Sequence, residues 1–329
     1  MPLRPSFGRR SRNKGQRLLL KPTLLSKLVS LLRPSYNSAA EAPDCFVQMN
    51  ARNAPRSGIE GLSASVVVYR PDLAKLESTL SSFGAACEAL LARRPGLPVS
   101  LYLVDNGGLP DVRAAIDALR AHGVASTILS GHGNIGYGQG HNLAIDRAVG
   151  HYHLVLNPDI DLDHDALVRA VEFFEAHPDA GLLTPWIGDE YGNQQFLCRR
   201  YPTLLDLFAR GFLPRRLRRL FTRRLALYEM RDQINAHDLV WDPPIVSGCF
   251  MLFRTSVLKQ LGGFDARYFL YFEDYDLSLR AHEVTRVVYT PAVRVLHHGG
   301  GASRKGSTHI RMFMASAYKF FNRFGWKFL

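Results

Sequence analysis

From residue 63 onward the apolar positions change period repeatedly along the chain. SASVVVY at 63–69 is a short β-branched run that predicts a strand, and 71–91 spaces its apolar residues as a helix does. The alternation continues with a strand at 100–104, a helix at 111–122 and a strand at 125–129. A Gly-rich turn then leads to a helix around 139–149, a strand at 153–156, a helix at 163–177 and a strand at 181–186. Strands joined by helical crossovers predict an α/β fold with a mostly parallel central sheet flanked by helices. Ligands of such sheets bind beyond the carboxyl ends of the strands, so the residues following each strand carry the candidate chemistry.

Three stretches stand outside this pattern. Residues 1–60 read as a basic N-terminal extension and linker, with Leu24, Leu25, Leu28, Leu31 and Leu32 at helical spacing. A surface amphipathic helix, a disordered basic tail and a targeting segment are all open for it. The main domain spans 61–301 and contains a basic amphipathic helical insertion at 203–230, and 302–329 forms a basic, aromatic amphipathic C-terminal helix. With 329 residues, 47% of them hydrophobic, the chain has ample core, and collagen-like, coiled-coil and wholly disordered classes are excluded. No apolar run reaches the length that spans a bilayer. Cys45, Cys87, Cys198 and Cys249 are widely separated and form no CxxC pair, which predicts reduced thiols rather than a zinc site or a disulfide framework. The net charge of +12 is uneven: +9 in 1–34, +8 in 199–231 and +6 in 302–329, leaving −11 for the rest. An acidic body with basic appendages predicts an anionic surface held by the appendages while chemistry proceeds elsewhere.

The strand ends supply the candidates. Asp105 closes VDNG, where a carboxylate is equally a turn former. GHGNIGYGQGHN at 131–142 holds Gly136, Gly138 and Gly140, but it lacks GxGxxG spacing and follows the third strand, which excludes a dinucleotide-binding dehydrogenase. Its glycines permit close backbone approach and Asn134 and Asn142 offer hydrogen bonds, with a plain loop as the alternative. Asp159 and Asp161 in NPDID point to opposite sides of an extended segment, so one suits a divalent cation and the other sugar or ribose hydroxyls. Glu273, Asp274 and Asp276 lie among aromatics in DARYFLYFEDYDLSLR, where desolvation makes a carboxylate a better general base; helix capping is the alternative role. His297 and His298 precede a Gly run and offer an imidazole ligand to a cation.

Taken in order, VDNG, GNIGYGQGHN, NPDID, SGCFMLFR, GGFDARYFLYFEDYDLSLR and HHGGGAS resemble family 2 glycosyltransferases of the GT-A fold, in their rhamnosyltransferase-like branch. The resemblance covers residues 63–325. It implies a nucleoside-diphosphate sugar donor (dTDP- or UDP-linked), Mg or Mn, and inversion at the anomeric carbon. It also implies that Asp105 contacts the base, that Asn134, Gly136 and Asn142 line the donor site, and that Asp159 binds donor hydroxyls. By the same resemblance Asp161 and His297 hold the metal, Asp274 is the catalytic base with Glu273 as its substitute, and Arg280 organises the acidic cluster. A glycan or lipid-linked acceptor in cell-surface polysaccharide synthesis follows from the resemblance.

The basic appendages interleave Arg and Lys with Leu, Phe and Trp, which suits an anionic membrane surface and a cytoplasmic enzyme held peripherally on its inner face. For the C-terminal helix, packing of its apolar face on the core is the competing role. A catalytically silent sugar-binding domain and a basic nucleic-acid-binding protein are the rival functions; the absence of any nucleic-acid motif and the acidic body exclude the latter.

Overall fold

The computed structural model describes residues 60–299 and 307–329. The expectations for 1–59, and for the end of the HHGGGAS segment, lie outside the described residues. The first half of the domain follows the predicted alternation: β1 (Leu62–Val68), α1 (Leu73–Arg93), β2 (Val99–Asp105), α2 (Arg113–Ala121), β3 (Val124–Leu129), α3 (Tyr137–Ile145) and β4 (Tyr152–Leu156). The short β5 (Ile160–Leu162), α4 (Ala166–Ala176) and β6 (Ala180–Gly188) come next. A helical excursion of α5 (Leu204–Gly211), α6 (Arg215–Arg218) and α7 (Thr222–Tyr228) precedes β7 (Val240–Trp241), β8 (Phe250–Arg254) and α8 (Thr255–Gln260). The domain closes with α9 (Glu273–Ala281), β9 (Arg286–His297) and α10 (Ser307–Phe324).

The strands form one sheet in the order β3-β2-β1-β4-β8-β6-β9-β5, with β7 paired to β9. From β3 to β4 every pair is parallel. Beyond β4 the sheet is mixed, because β8 runs antiparallel to both β4 and β6 while β6 and β9 are parallel. The expectation of a mostly parallel sheet therefore describes only its first half. β8 is almost wholly buried (FMLFR), so its apolar run carries no alternation from which direction could be read. β1, β4 and β6 are likewise buried along their length, the signature of strands covered on both faces.

One layer of core joins α1, α2 and α4 to the sheet through Leu76, Phe83, Ile116, Leu167 and Phe174; another gathers Met251, Phe253, Phe264 and Leu277. A third cluster bears directly on function. Ala317, Phe320 and Phe321 of α10 pack with Leu207, Tyr268 and Phe272, so this face of the C-terminal helix is core. Arg323 of α10 donates to Asp265 (2.8 Å) and to the fully buried Asp276 (2.8 Å), pinning the helix to the segment that leads into α9.

Candidate active site

The carboxyl ends of β1, β2 and β4 converge on one edge of the sheet, next to the start of α9. Asp105 ends β2, and its Oδ1 accepts from the N–H groups of Gly107 (2.8 Å) and Leu109 (3.2 Å), so one carboxylate oxygen forms the turn. The adjacent Asn106 is buried and donates to Gly136 O (2.9 Å), with His132 Nε2 at 3.0 Å from its Oδ1. Asn134 is exposed, and its Oδ1 accepts from Gly136 N (3.1 Å). Gly136 has φ 92°, and a Cβ there would fall 2.4 Å from Phe269 O, so only glycine lets the two backbones meet. Asn142 engages Phe264 with both amide atoms, donating to its O (2.8 Å) and accepting from its N (2.9 Å). Gly136 and Asn142 thus clamp the start of α3 onto the 264–272 loop.

Asp159 and Asp161 diverge as the alternation requires. The N–H groups of Ile160 and Leu162 donate to Thr79 Oγ1 (3.1 Å) and Ser82 Oγ (3.2 Å) of α1, which fixes the face each aspartate presents. Asp161 Oδ2 accepts from Ser78 Oγ (2.8 Å) and lies 2.7 Å from His298 Nε2. Asp159 Oδ1 lies 3.6 Å from His297 Nε2. The sequence reading groups Asp161 with His297, whereas the structure pairs Asp161 with His298 and Asp159 with His297. β9 runs antiparallel to β5, and its own alternation sends consecutive histidines to different partners.

The His297 ring is oriented without ambiguity. Gln195 Nε2 donates to His297 O (2.9 Å), so Gln195 Oε1 faces Nδ1 at 2.9 Å and requires a proton there. Nε2, the nitrogen toward Asp159, is left as the lone-pair donor. Burial holds this imidazole below its usual pKa, against the opposing charge of Asp159. A neutral His with its second nitrogen anchored is the form that ligates a metal.

These residues fit a divalent cation. Asp159 Oδ1 and Asp161 Oδ1 are buried and have no hydrogen-bond partner among the described residues. At Gly299 a Cβ would fall 2.3 Å from Asp159 Oδ2 and 2.6 Å from His297 Nε2, so the chain keeps that space clear. Among the described residues no group of three or more His, Cys, Asp or Glu is gathered into a ligand cage. Mg and Mn are commonly held by one or two carboxylates with substrate phosphates supplying the rest, which needs no such cage.

The acidic cluster sits at the start of α9. Tyr271 and Phe272, both in the left-handed region (φ 71° and 66°), lead into it. Such backbone costs about 1–3 kcal/mol per residue, and here the ring of Phe272 is wedged against Phe313 and Phe320. Glu273 is buried, and burial pushes its carboxyl up to about 8, with the charge of Asp274 adding. Asp274 is half-buried and also raised by burial, opposed by backbone N–H groups and the Arg199 guanidinium. Its Oδ2 accepts from Gly248 N (3.0 Å) and its Oδ1 from Tyr275 N (3.0 Å). Asp276 is turned away: it pairs with Arg280 Nε (2.6 Å), which in turn donates to Leu261 O and Gly263 O. Arg280 therefore organises the 261–263 turn and Asp276, not the Glu273–Asp274 pair.

Tyr137, quoted within the Gly-rich motif but given no role there, joins the two acidic segments. Its Oη lies 2.9 Å from Asn157 Oδ1 and 2.7 Å from Gly248 O, while Gly248 N holds Asp274. One hydroxyl proton serves one acceptor, so turning the Asn157 amide over to present Nδ2 satisfies all three groups. Burial raises the Tyr137 hydroxyl well above its usual value, and the charges of Glu273, Asp274 and Asp159 add to it. NPDID and FEDYD therefore share one site. Gln195 and Lys75, whose Nζ donates to His298 O (2.7 Å), are further residues of it outside every motif, while Asn157 of NPDID and Gly248 of SGCFMLFR had no role of their own there.

Comparison with known proteins gives the class of this α/β domain. The family model described as glycosyltransferase like family 2 matches residues 83–311, and the chain belongs to that family. It is 29% identical over 275 residues to an N-acetylglucosaminyl-diphospho-decaprenol L-rhamnosyltransferase of Mycobacterium tuberculosis, covering 79% of this chain and 83% of that one. It is 28% identical over 202 residues to the rhamnosyltransferase WbbL of Escherichia coli K12 (58% of this chain, 72% of the relative). Among solved structures it superposes on GalNAc-T7 with UDP, GalNAc and Mn2+ at TM-score 0.50 and 12% identity, covering 73% of this chain and 43% of that one. That likeness is one of GT-A fold, and the chain spans less than half of the solved protein's length.

Proposed function

We propose that this glycosyltransferase moves rhamnose from a dTDP- or UDP-linked donor to a glycan or lipid-linked acceptor in cell-surface polysaccharide synthesis, by a single displacement with inversion. The observation that supports the reading is the hydrogen-bonded path Asn157–Tyr137–Gly248–Asp274, which links the NPDID segment to the start of α9. Rhamnose is supported by the names of both curated relatives, and the lipid-linked acceptor by that of the Mycobacterium tuberculosis one.

The donor diphosphate lies at the Asp159–His297 side, with Asp161 held beneath by Ser78 and His298. Bound there, Mg or Mn supplies Lewis-acid stabilisation of the diphosphate leaving group. Asp105 and Asn134 meet the nucleoside at the ends of the second and third strands, while Gly136 and Asn142 hold the floor of the site in place. Asp274 takes the proton of the acceptor hydroxyl as that oxygen attacks the anomeric carbon. It is the partly accessible member of the pair, and two backbone N–H groups fix its carboxylate; the buried Glu273 retains its proton and so spares the site a second charge. The enzyme works at an anionic membrane surface, peripherally on the cytoplasmic face.

The test is release of nucleoside diphosphate from dTDP-rhamnose with a polyprenyl-diphosphate-linked sugar acceptor. Asp274→Asn is expected to lower kcat about 1,000-fold with donor affinity and melting temperature retained. Turnover in that variant within tenfold of the parent excludes Asp274 as base.

A further inference from the structure

The helical excursion that carries the +8 charge leaves much of its apolar surface in water. α5 buries Leu207 and Ala209 but exposes Phe208 and Phe212, whose rings stack at 6.1 Å. Leu217 and Leu220 are exposed in the turns that follow, Leu220 at 79%. The C-terminal segment runs alongside, because Leu204 and Leu205 donate to Lys327 O (2.9 Å) and Phe328 O (3.2 Å), and Trp326 and Phe328 are exposed there too. Scattered single apolar residues on a surface need no explanation; the exposed ring pairs Phe208–Phe212 and Trp326–Phe328, on segments tied by the 204–205 to 327–328 backbone bonds, do.

Charge decides what covers it. Residues 199–231 contain two acids, and both are already paired: Asp206 with Arg224, and Glu229 with Arg210 and Arg231. Arg216, Arg219 and Arg223, which alternate with the exposed leucines, make no ion pair among the described residues. Residues 302–329 contain no acid at all. A second copy of this face would meet it with like charge, whereas nucleic acid stacks aromatic rings but offers no apolar phase to Leu217 and Leu220. An anionic bilayer takes both: phosphates for the guanidiniums and the acyl boundary for Phe, Leu and Trp. The face is also tied to the chemistry, since Tyr228 Oη of α7 lies 2.8 Å from the hydroxyl of Tyr275, the residue after Asp274.

We propose that the face built by residues 204–228 with Trp326 and Phe328 seats on the anionic headgroup layer of a bilayer, holding the base side of the site against the membrane from which a lipid-linked acceptor is drawn. This rests on the proposed transfer to such an acceptor. The experiment is flotation of the full-length chain with vesicles of equal parts phosphatidylcholine and phosphatidylglycerol, and with phosphatidylcholine alone, at low and high salt. The variant is Arg216→Ala with Arg219→Ala and Arg223→Ala, exposed positions outside the catalytic machinery, with folding checked by thermal melting. Residues 1–34 are common to both chains, so the difference reports this face. At about fivefold per basic residue, the partition coefficient on anionic vesicles is expected to fall about 100-fold, with transfer to a short-chain, water-soluble acceptor unchanged. Leu217→Ser with Leu220→Ser is expected to weaken binding as well, at high salt included. Anionic-vesicle binding unchanged in both variants overturns the proposal, as does dimerisation through this face without lipid. Loss of vesicle binding with no transfer by the parent chain on any nucleotide sugar refutes the sugar-transfer reading separately.

Discussion

Glu273→Gln separates the two members of the acidic pair. Burial pushes the Glu273 carboxyl from 4.5 up to about 8, and the groups facing it are Asp274, Tyr137 and Tyr271. Because the folded protein holds this proton more tightly than the unfolded chain, the group's contribution to stability is complete below pH 4.5 and is lost as pH rises to about 8. At about 1.4 kcal/mol per pH unit the loss is at most about 5 kcal/mol. Glutamine keeps the shape and cannot ionise, so the variant should equal the parent near pH 4.5 and exceed it in stability by a few kcal/mol above pH 8. Urea unfolding at a series of pH values measures this. Because Glu273 keeps its proton while Asp274 ionises, the acidic limb of the kcat/KM profile, assigned to Asp274, should hold its position in this variant and turnover should persist. A stability difference that is flat from pH 5 to pH 9 would refute the claim that Glu273 is held protonated, and a total loss of activity would make Glu273 itself the base.

Tyr137→Phe removes the hydroxyl that links Asn157 to Gly248, and kcat should fall about tenfold with a smaller change in donor KM, because the effect reaches the chemistry through Asp274; equal effects on both would indicate a binding role. Gly136→Ala forces a Cβ to within 2.4 Å of Phe269 O at φ 92°, and should cost about 2–4 kcal/mol by denaturant titration. Between the sheet and α3, Ser63, His153, Ser65 and His141 form a buried network (2.7–2.9 Å), and burial lowers both histidines, His153 to about 3. Their folded-state pKa values are depressed, so stability is full above pH 6.5 and falls as pH drops toward 3; His153→Gln should flatten that slope in pH-dependent melting.

The legible parts of this protein are local ones. The period changes from 63 to 186 located every element but the three-residue β5 to within a few residues, because helices record a buried stripe and strands a short apolar run. β8 carries no such record, being buried almost throughout, and with it the mixed half of the sheet stayed out of view. The role of Tyr137 was equally hidden, since a tyrosine among glycines has no pattern of its own until Asn157 and Gly248 arrive beside it.

Residue identity by itself determined that acids and imidazoles follow particular strands, that alternate aspartates must face apart, and that three stretches are basic. Tertiary structure alone decided which His meets which Asp and that Arg280 serves Asp276. It also decided that the C-terminal helix turns one aromatic face inward while the 204–228 face stays in water. The reason is that spacing along a strand fixes only the side a residue faces. Its partner is set by how distant strands pair, through hydrogen bonds and burial that no short window of sequence contains.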